Sequence, residues 1–181
     1  MNAGIIFLLK IPQRKAGKMR DALKKVLQIV TQMDPYSFAN LRGSDEYPDV
    51  AGTVWFYPFW DGTLAVAEIA GLPTEDGECT SQVFGFHIHE GSCCSGNTAD
   101  PFADTGSHYK PGHCMHPQHA GDLPPLFGND GYALNMCYTN RFLPDEVDGK
   151  TVIIHRMPDD FHTQPSGNSG TRIACGEIRM I

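Results

Sequence analysis

The stretch GFHIHEG, Gly85 to Gly91, places His87 and His89 two residues apart inside an apolar run and follows them with a glutamate. Alternate residues of a β-strand lie on one face, so both imidazoles would project from the same side. Imidazole is the most common metal ligand, which makes a metal site one interpretation. A pair of ordinary core or surface histidines is the other, and these two residues alone do not decide between them.

The other histidines favour a metal, because all eight lie between residues 87 and 162. One Gly/Pro-rich loop holds four histidines and a carboxylate within fifteen residues: His108, His113, His116, His119 and Asp122. Imidazoles with one carboxylate suit zinc, and a bound ion would order a loop that has no core of its own. His155 ends an apolar strand and can reach the face of His87 and His89. His162 lies in a polar loop and is expected to take no part.

The composition limits the class of protein. The chain has 181 residues, enough for one well-buried domain and too few for two large ones. Its net charge of −7 combines +6 over residues 1–33 with −13 over the remainder, and the acidic body argues against nucleic acid as a partner. No apolar run approaches the roughly 20 residues of a membrane span. The short apolar run at the start has no basic residue before it, so we expect no signal peptide and a cytoplasmic location.

A basic helix is predicted near the start of the chain. From Arg14 to Met33 apolar residues recur at helical spacing with lysines between them, and Asp34-Pro35 ends the pattern. Residues 1–40 are therefore predicted to form an amphipathic helical extension. Such a helix can lie on a membrane or bind a partner. It can also dock its apolar stripe on the acidic body of its own chain, which is the interpretation that we prefer.

After the helix the sequence is typical of β-strands. GTVWFYPFW and TLAVAEIAG flank Asp61-Gly62, a dipeptide favoured in hairpin turns. Further candidates are VFGFHIH, YALNMCY, TVIIH and IACGEIRMI. Short strands with polar connections predict an antiparallel sandwich or barrel. The connection from about Gly91 to Asp130 is of a length that is uncommon unless it is functional.

Six cysteines show neither a CxxC pair nor zinc-finger spacing: Cys79, Cys93, Cys94, Cys114, Cys137 and Cys175. Because disulfides are rare in a reducing cytosol, most of them are expected to be free thiols.

Six motifs in order carry a resemblance to a known family. GFHIHEG, SHY, HPQHAGDLP, VIIH, PSGNSGTR and ACG resemble the copper/zinc superoxide dismutases, bacterial members with a shortened HPxHAGDLPPL metal loop in particular. The resemblance covers about Leu41 to Ile181. It implies an all-β, Greek-key antiparallel sandwich or barrel over residues 41–181. It also implies an enzyme that converts superoxide to O₂ and H₂O₂, with copper and zinc as cofactors.

The resemblance assigns roles to individual residues. The implied copper ligands are His87, His89, His108 and His155, and the implied zinc ligands are His108, His116, His119 and Asp122. His108 would bridge both metals and also act in catalysis, leaving the copper and taking a proton in the reduced state. Asp159 matches an aspartate that hydrogen-bonds one histidine of each site, and Arg172 matches an arginine that attracts and orients superoxide. Cys175 matches one half of the family's disulfide, and the spacing after His89 favours Cys94 as its partner over the adjacent Cys93.

Several alternatives remain open at this point. His113 or Cys114 could replace His116 at the zinc, although HPxH directly before AGD favours His116. A non-catalytic metal-binding or copper-handling module on the same fold is one competing function, but such forms typically lack a copper histidine. A zinc hydrolase or lyase is another, and it leaves HPQHAGD and Arg172 unexplained. The loop after His155 carries few charges, which puts long-range steering of an anion in doubt. No motif marks an oligomer surface, so a homodimer is left open.

Overall fold

The computed structural model describes residues 13–75 and 82–181. Within them, one α-helix, two short 3-10 helices (Ala103–Thr105 and Pro144–Val147) and nine strands form: α1 (Gln13–Gln32), β1 (Ser37–Gly43), β2 (Ala51–Phe59), β3 (Gly62–Ala70), β4 (Val83–Phe84), β5 (Phe86–His89), β6 (Leu126–Phe127), β7 (Ala133–Thr139), β8 (Thr151–His155) and β9 (Arg172–Met180). The chain divides into two compact units, one ending at Asp34 and one running from Pro35 to Ile181. Each unit is described by itself.

The first unit contains α1, which confirms the predicted helix. It ends at Gln32, two residues before Asp34-Pro35, as expected because the residue before a proline disfavours the helical conformation. The boundary expected between residues 40 and 41 falls inside β1, and the second unit begins at Pro35. Residues 37–40 belong to the sheet because Ser37 and Ala39 are buried and the strand pairs with β2 and β9.

The second unit is built on one seven-stranded sheet in the order β5-β8-β9-β1-β2-β3-β7, in which every neighbouring pair is antiparallel. The sheet forms a half-barrel. A two-stranded sheet of β4 and β6 accompanies it. The chain passes from β7 at one edge to β8 beside the other edge, which is the long return connection of a Greek key. The predicted all-β antiparallel class with a preceding helix is therefore confirmed.

The β2–β3 hairpin turns one residue earlier than Asp61-Gly62. Trp60 and Asp61 form the turn, Trp60 takes a positive φ of 52°, and Gly62 already pairs with Phe59. Gly62 is required for a different reason, because a Cβ there would collide with the backbone carbonyl of Thr139 on β7.

The core lies between the half-barrel and the connections that cover it. Its fully buried side chains include Phe56, Phe84, Phe86, Ile88, Ile154 and Ile173. Each of these contributes about 1.5–3 kcal/mol by leaving water. Two of them lie on β5, directly beside His87 and His89, so the strand that presents the two histidines is fixed by the core itself.

Candidate metal centre

Strand β5 presents His87 and His89 from a fully buried position. Both side chains are at most 1% exposed. The long loop pairs with β5 through the backbone: the Ile88 N–H donates to Gly121 O at 2.9 Å, and the Tyr109 N–H donates to Ile88 O at 2.8 Å. These bonds place His108 opposite His89 and Asp122 opposite His87. Two distant parts of the histidine-rich loop are thereby brought to one strand.

His155 reaches the same place from the end of β8. Strand β8 pairs with β5, and its register against β9 shifts between Ile154 and His155, so that His155 lies opposite Arg172. The nitrogen atoms of four buried histidines then come within 4.8 Å of one another: His87, His89, His108 and His155. This is the set implied for copper.

A second group shares one member with the first. Its ligand atoms also lie within 4.8 Å of one another, and it consists of His108, His116, His119 and Asp122. The Asp122 Oδ1 lies 2.7 Å from Nδ1 of His108, and its Oδ2 lies 3.2 Å from Nδ1 of His116 and 3.3 Å from Nδ1 of His119. All four residues are buried. This is the set implied for zinc.

Two polar side chains, those of Arg141 and Gln164, bond to the backbone of this loop. Arg141 donates from Nη1 to His119 O at 2.8 Å. The side-chain amide of Gln164 forms two hydrogen bonds with the backbone of His116: its Oε1 accepts the His116 N–H at 3.1 Å, and its Nε2 donates to His116 O at 2.7 Å. The loop backbone on both sides of the His116 and His119 side chains is therefore held by hydrogen bonds to other parts of the chain.

The hydrogen bonds determine which nitrogen of two copper-set histidines faces the group. Nδ1 of His89 donates to Gly106 O at 2.9 Å, and Nδ1 of His155 donates to Gly170 O at 3.2 Å. A neutral imidazole has one N–H, so Nε2 of both rings carries a lone pair. These two Nε2 atoms lie only 3.3 Å apart. The two lone pairs repel each other at this distance. A bound cation would accept both of them and form two coordinate bonds.

Four further buried ring nitrogens form no hydrogen bond with any described residue, although two of them lie close to the Asp122 carboxylate: Nδ1 of His87, Nε2 of His108, Nδ1 of His116 and Nδ1 of His119. A buried polar atom left without a partner costs roughly 1–3 kcal/mol. Each of the four belongs to a residue of the two groups, and the unpartnered Nε2 of His108 belongs to the copper set while its Nδ1 faces Asp122. The donor set and its orphaned atoms fit two metal ions that share His108.

Asp159 connects the two groups from behind. Its Oδ2 accepts from Nε2 of His87 and its Oδ1 accepts from Nε2 of His116, each at 2.8 Å. Burial alone would raise the pKa of Asp159, but these bonds and the Phe161 N–H lower it to about 2. Gly167, at φ 66°, lies so close that a Cβ would collide with Asp159 Oδ1. The PSGNSG segment, residues 165–170, thus packs directly against this carboxylate.

Burial keeps three imidazoles of the copper set neutral, those of His87, His89 and His155. Burial lowers the pKa of His87 to about 4, against the opposing hydrogen bond to Asp159. Burial, with the nearby histidines, also holds the pKa of His89 and His155 well below the usual range. Since a histidine must be neutral to bind a metal, these three side chains are in the form that can coordinate a cation at neutral pH.

A cleft of about 860 Å³ opens onto the centre, and His89, His108 and His155 line it. Arg172, at the start of β9, lines the same cleft with its side chain one-fifth exposed. Its Nη2 donates to Gly106 O at 2.9 Å, and its Nη1 contacts the carboxylate of Asp100. Sequence reasoning found Arg172 but missed Asp100, which lies 72 residues away and belongs to no motif.

The remaining predictions for this region concern His113, His162 and the cysteines. His113 and Cys114 are exposed and belong to neither ligand group in the described part of the chain. His162 is exposed and bonds its own loop, at Asp160. Cys94 and Cys175 form the disulfide, which confirms that pairing. Cys93, Cys114 and Cys137 are free, as predicted, and Cys79 lies outside the described residues.

Comparisons with known proteins agree with this geometry. The family model described as copper/zinc superoxide dismutase (SODC) matches residues 50–178. A superoxide dismutase [Cu-Zn] of Deinococcus radiodurans is 35% identical over 76% of this chain and 81% of its own length. Superoxide dismutase [Cu-Zn] 2 of Aquifex aeolicus is 32% identical over 65% of this chain and 72% of its own.

Solved structures are similar as well. The Cu/Zn superoxide dismutase from Brucella abortus superposes with a TM-score of 0.64 at 26% identity, covering 78% of this chain and 98% of that one. A double mutant of a SOD-like protein from Bacillus subtilis gives 0.63 at 28% identity, covering 77% and 95%. No helix among the described residues is long and apolar enough to cross a membrane. The chain belongs to the copper/zinc superoxide dismutase family.

Proposed function

We propose that this dismutase converts superoxide at a copper held by His87, His89, His108 and His155, with zinc held by His108, His116, His119 and Asp122. One observation carries this assignment: the two ring nitrogens of His108 face different groups. Its Nε2 belongs with the copper set and is buried without a partner, while its Nδ1 lies 2.7 Å from Asp122. One imidazole can therefore serve both metals.

The bound copper supplies a one-electron change of oxidation state and the zinc supplies a fixed positive charge, so that two superoxide ions and two protons give O₂ and H₂O₂. The chain supplies the rest. His108 can hold a proton at Nε2 when that nitrogen is not coordinated and return it later. Asp159 fixes His87 and His116 through their other nitrogens, and such outer partners keep ligands in their tautomer and orientation.

Arg172 is the proposed anchor for superoxide. Its guanidinium is permanently charged and presents a rigid set of donors, and it lines the cleft with three of the copper-set histidines. The general field of the chain is unfavourable to an anion, because residues 34–181 carry a net charge of −13. A local cation in the cleft is therefore needed to retain the substrate.

The test is to measure metal content and dismutase activity of the same preparation after reconstitution with copper and zinc. We expect near one copper and one zinc per chain, and activity that is lost when copper alone is removed. Full copper loading without activity would overturn the proposal in favour of a copper-handling module. Zinc binding without copper would instead favour hydrolytic chemistry.

We also propose a homodimer, with the outer face of β7 as its contact. Leu134, Met136 and Tyr138 are exposed on this edge strand, and ALNMCYT carries no charge. Exposed apolar side chains on an edge strand are a surface that a second copy could cover across a two-fold axis. Light scattering should give twice the chain mass for the native protein and for Met180→Lys, and one chain mass for Met136→Lys. A single chain mass for the native protein would contradict this.

The cytoplasmic location expected from the sequence stays a prediction. The free thiols of Cys93, Cys114 and Cys137 favour a reducing compartment, whereas the disulfide of Cys94 and Cys175 favours an oxidising one. Fractionation of the producing cells tests it, and recovery of the protein outside the cytoplasm would contradict it.

A further inference from the structure

The guanidinium of Arg172 does not face the cleft as a free cation. Nη1 is paired with Oδ2 of Asp100 and also lies 3.4 Å from Phe102 O, while Nη2 donates to Gly106 O. Gly106 O is the same carbonyl that accepts Nδ1 of His89. A chain of contacts therefore runs from Asp100 through Arg172 and Gly106 to a histidine of the copper set.

Asp100 is itself held in place. Its Oδ1 accepts the Phe102 N–H at 3.0 Å, which leaves Oδ2 for Arg172. Its own N–H donates to Oδ1 of Asn97 at 3.1 Å, and its carbonyl accepts from the backbone of Asn97 and Ala103. Exposed ion pairs are usually loose because two long side chains must be ordered. This carboxylate is ordered by the loop before it meets the arginine.

The pair changes the charge that an anion meets. Among the residues that line the cleft, three carboxylates (Asp45, Glu46 and Asp100) oppose two permanent cations (Lys110 and Arg172). Without Asp100 the lining would be neutral, and the cation nearest to the copper-set histidines would lose its counter-ion. Asp100 is thus the acid whose position decides how much of the Arg172 charge reaches the substrate.

We propose that Asp100 is a positioning residue that holds the guanidinium of Arg172 in its orientation and at the same time weakens the attraction of the cleft for anions. The inference rests on the proposed role of the cleft. Removing the charge while keeping a hydrogen-bond acceptor, as in Asp100→Asn, should raise anion affinity. For a unit charge a few ångströms from the bound anion in a solvent-filled cleft, the anion affinity should rise roughly three- to tenfold at low ionic strength.

The experiment compares Asp100→Asn with two matched variants. Asp104→Asn removes the same charge from the same loop, but Asp104 bonds Ser95 and does not line the cleft. Asp45→Asn removes a charge that lines the cleft but makes no contact with Arg172 in the described structure. Azide affinity of the metal-loaded protein, followed by absorption, is measured at several ionic strengths. We expect the largest gain for Asp100→Asn, a smaller one for Asp45→Asn and none for Asp104→Asn.

A second measurement needs no metal. Modification of Arg172 by phenylglyoxal, mapped by mass spectrometry on the metal-free protein, should be faster in Asp100→Asn than in the native chain or in Asp104→Asn. Asp100→Glu should restore the native rate in part. Equal azide affinity and equal modification rates for Asp100→Asn and Asp104→Asn would overturn the inference. A native metal-loaded protein without dismutase activity would instead overturn the proposed function, so the two failures are distinguishable.

Discussion

His87 and His116 donate to opposite oxygens of one carboxylate, that of Asp159, each across 2.8 Å. The two histidines belong to different ligand groups, so a single side chain orients one ligand of each proposed metal. An amide does not replace it, because Asn would place an NH₂ donor where the second carboxylate oxygen accepts from an imidazole N–H.

Asp159→Asn should therefore weaken both metal sites together. Loss of such an outer partner typically costs roughly 10–100-fold in metal affinity. Copper and zinc affinities measured by chelator competition should both fall, whereas Asp160→Asn should leave them unchanged, since Asp160 is bonded to Thr163 and His162 instead. A loss confined to one metal would argue against the shared carboxylate.

A second prediction separates the bridge from an ordinary ligand. His108→Ala should impair binding of both metals, because His108 is the one residue common to the two groups among the described residues. His155→Ala should impair mainly copper. Metal content after dialysis against a weak chelator measures both, and His162→Ala, on an exposed loop, is the control. Retention of both metals at native affinity by His108→Ala would show that the site is not shared.

The sequence was sufficient to predict seven of the nine described strands, all but β1 and β6, and to select the candidate ligands that the structure brings together. Residues such as His87 and His89 sit at fixed spacing inside an apolar strand, so periodicity and motif both point to them. Strand β1 was harder, because its buried residues are Ser37, Ala39 and Leu41, of which only Leu41 has a large apolar side chain. The expected boundary at residue 40 therefore fell within it.

The residues that surround the ligands could not be found in this way. The carbonyls of Gly106 and Gly170 fix two histidines through backbone atoms, which every residue possesses. Gly167 matters because of a close approach to Asp159, and Asp100 because of a contact across 72 residues. These relationships follow from the folded path of the loops and have no periodicity along the chain.

The disulfide gives a third prediction. Cys94 and Cys175 close a loop with a sequence separation of 81, for which the chain-entropy relation gives about 4.5 kcal/mol of stabilisation. Cys94→Ser in the metal-free protein should lower the free energy of unfolding by an amount of this order, measured by urea titration. Cys93→Ser should change it by no more than about 0.5 kcal/mol, as is usual for an exposed side chain. Equal stability of the two variants would contradict a structural role for the bond.

The last prediction concerns the charge of Arg172. Arg172→Ile should lower the dismutase rate by roughly ten- to a hundredfold, within the range by which local fields change association rates, while copper and zinc content stays the same. The rate of Arg172→Lys should lie between those of the native chain and Arg172→Ile, since an ammonium keeps the charge but not the planar set of N–H donors. Pulse radiolysis, which follows superoxide directly, measures the rate.

The salt dependence of the rate distinguishes electrostatic attraction by Arg172 from a purely steric role of its side chain. In the isoleucine variant Asp100 loses its counter-ion and the net charge of residues 34–181 becomes −14 instead of −13, so salt should raise the rate of this variant by screening the repulsion. In the native chain salt screens the repulsion and the attraction of Arg172 together, and its rate should fall relative to the variant. Asp100→Asn, with an unopposed guanidinium, should show the steepest fall of the three. Parallel salt dependence for all of them, or equal rates for Arg172→Ile and the native chain at low ionic strength, would remove Arg172 from the mechanism.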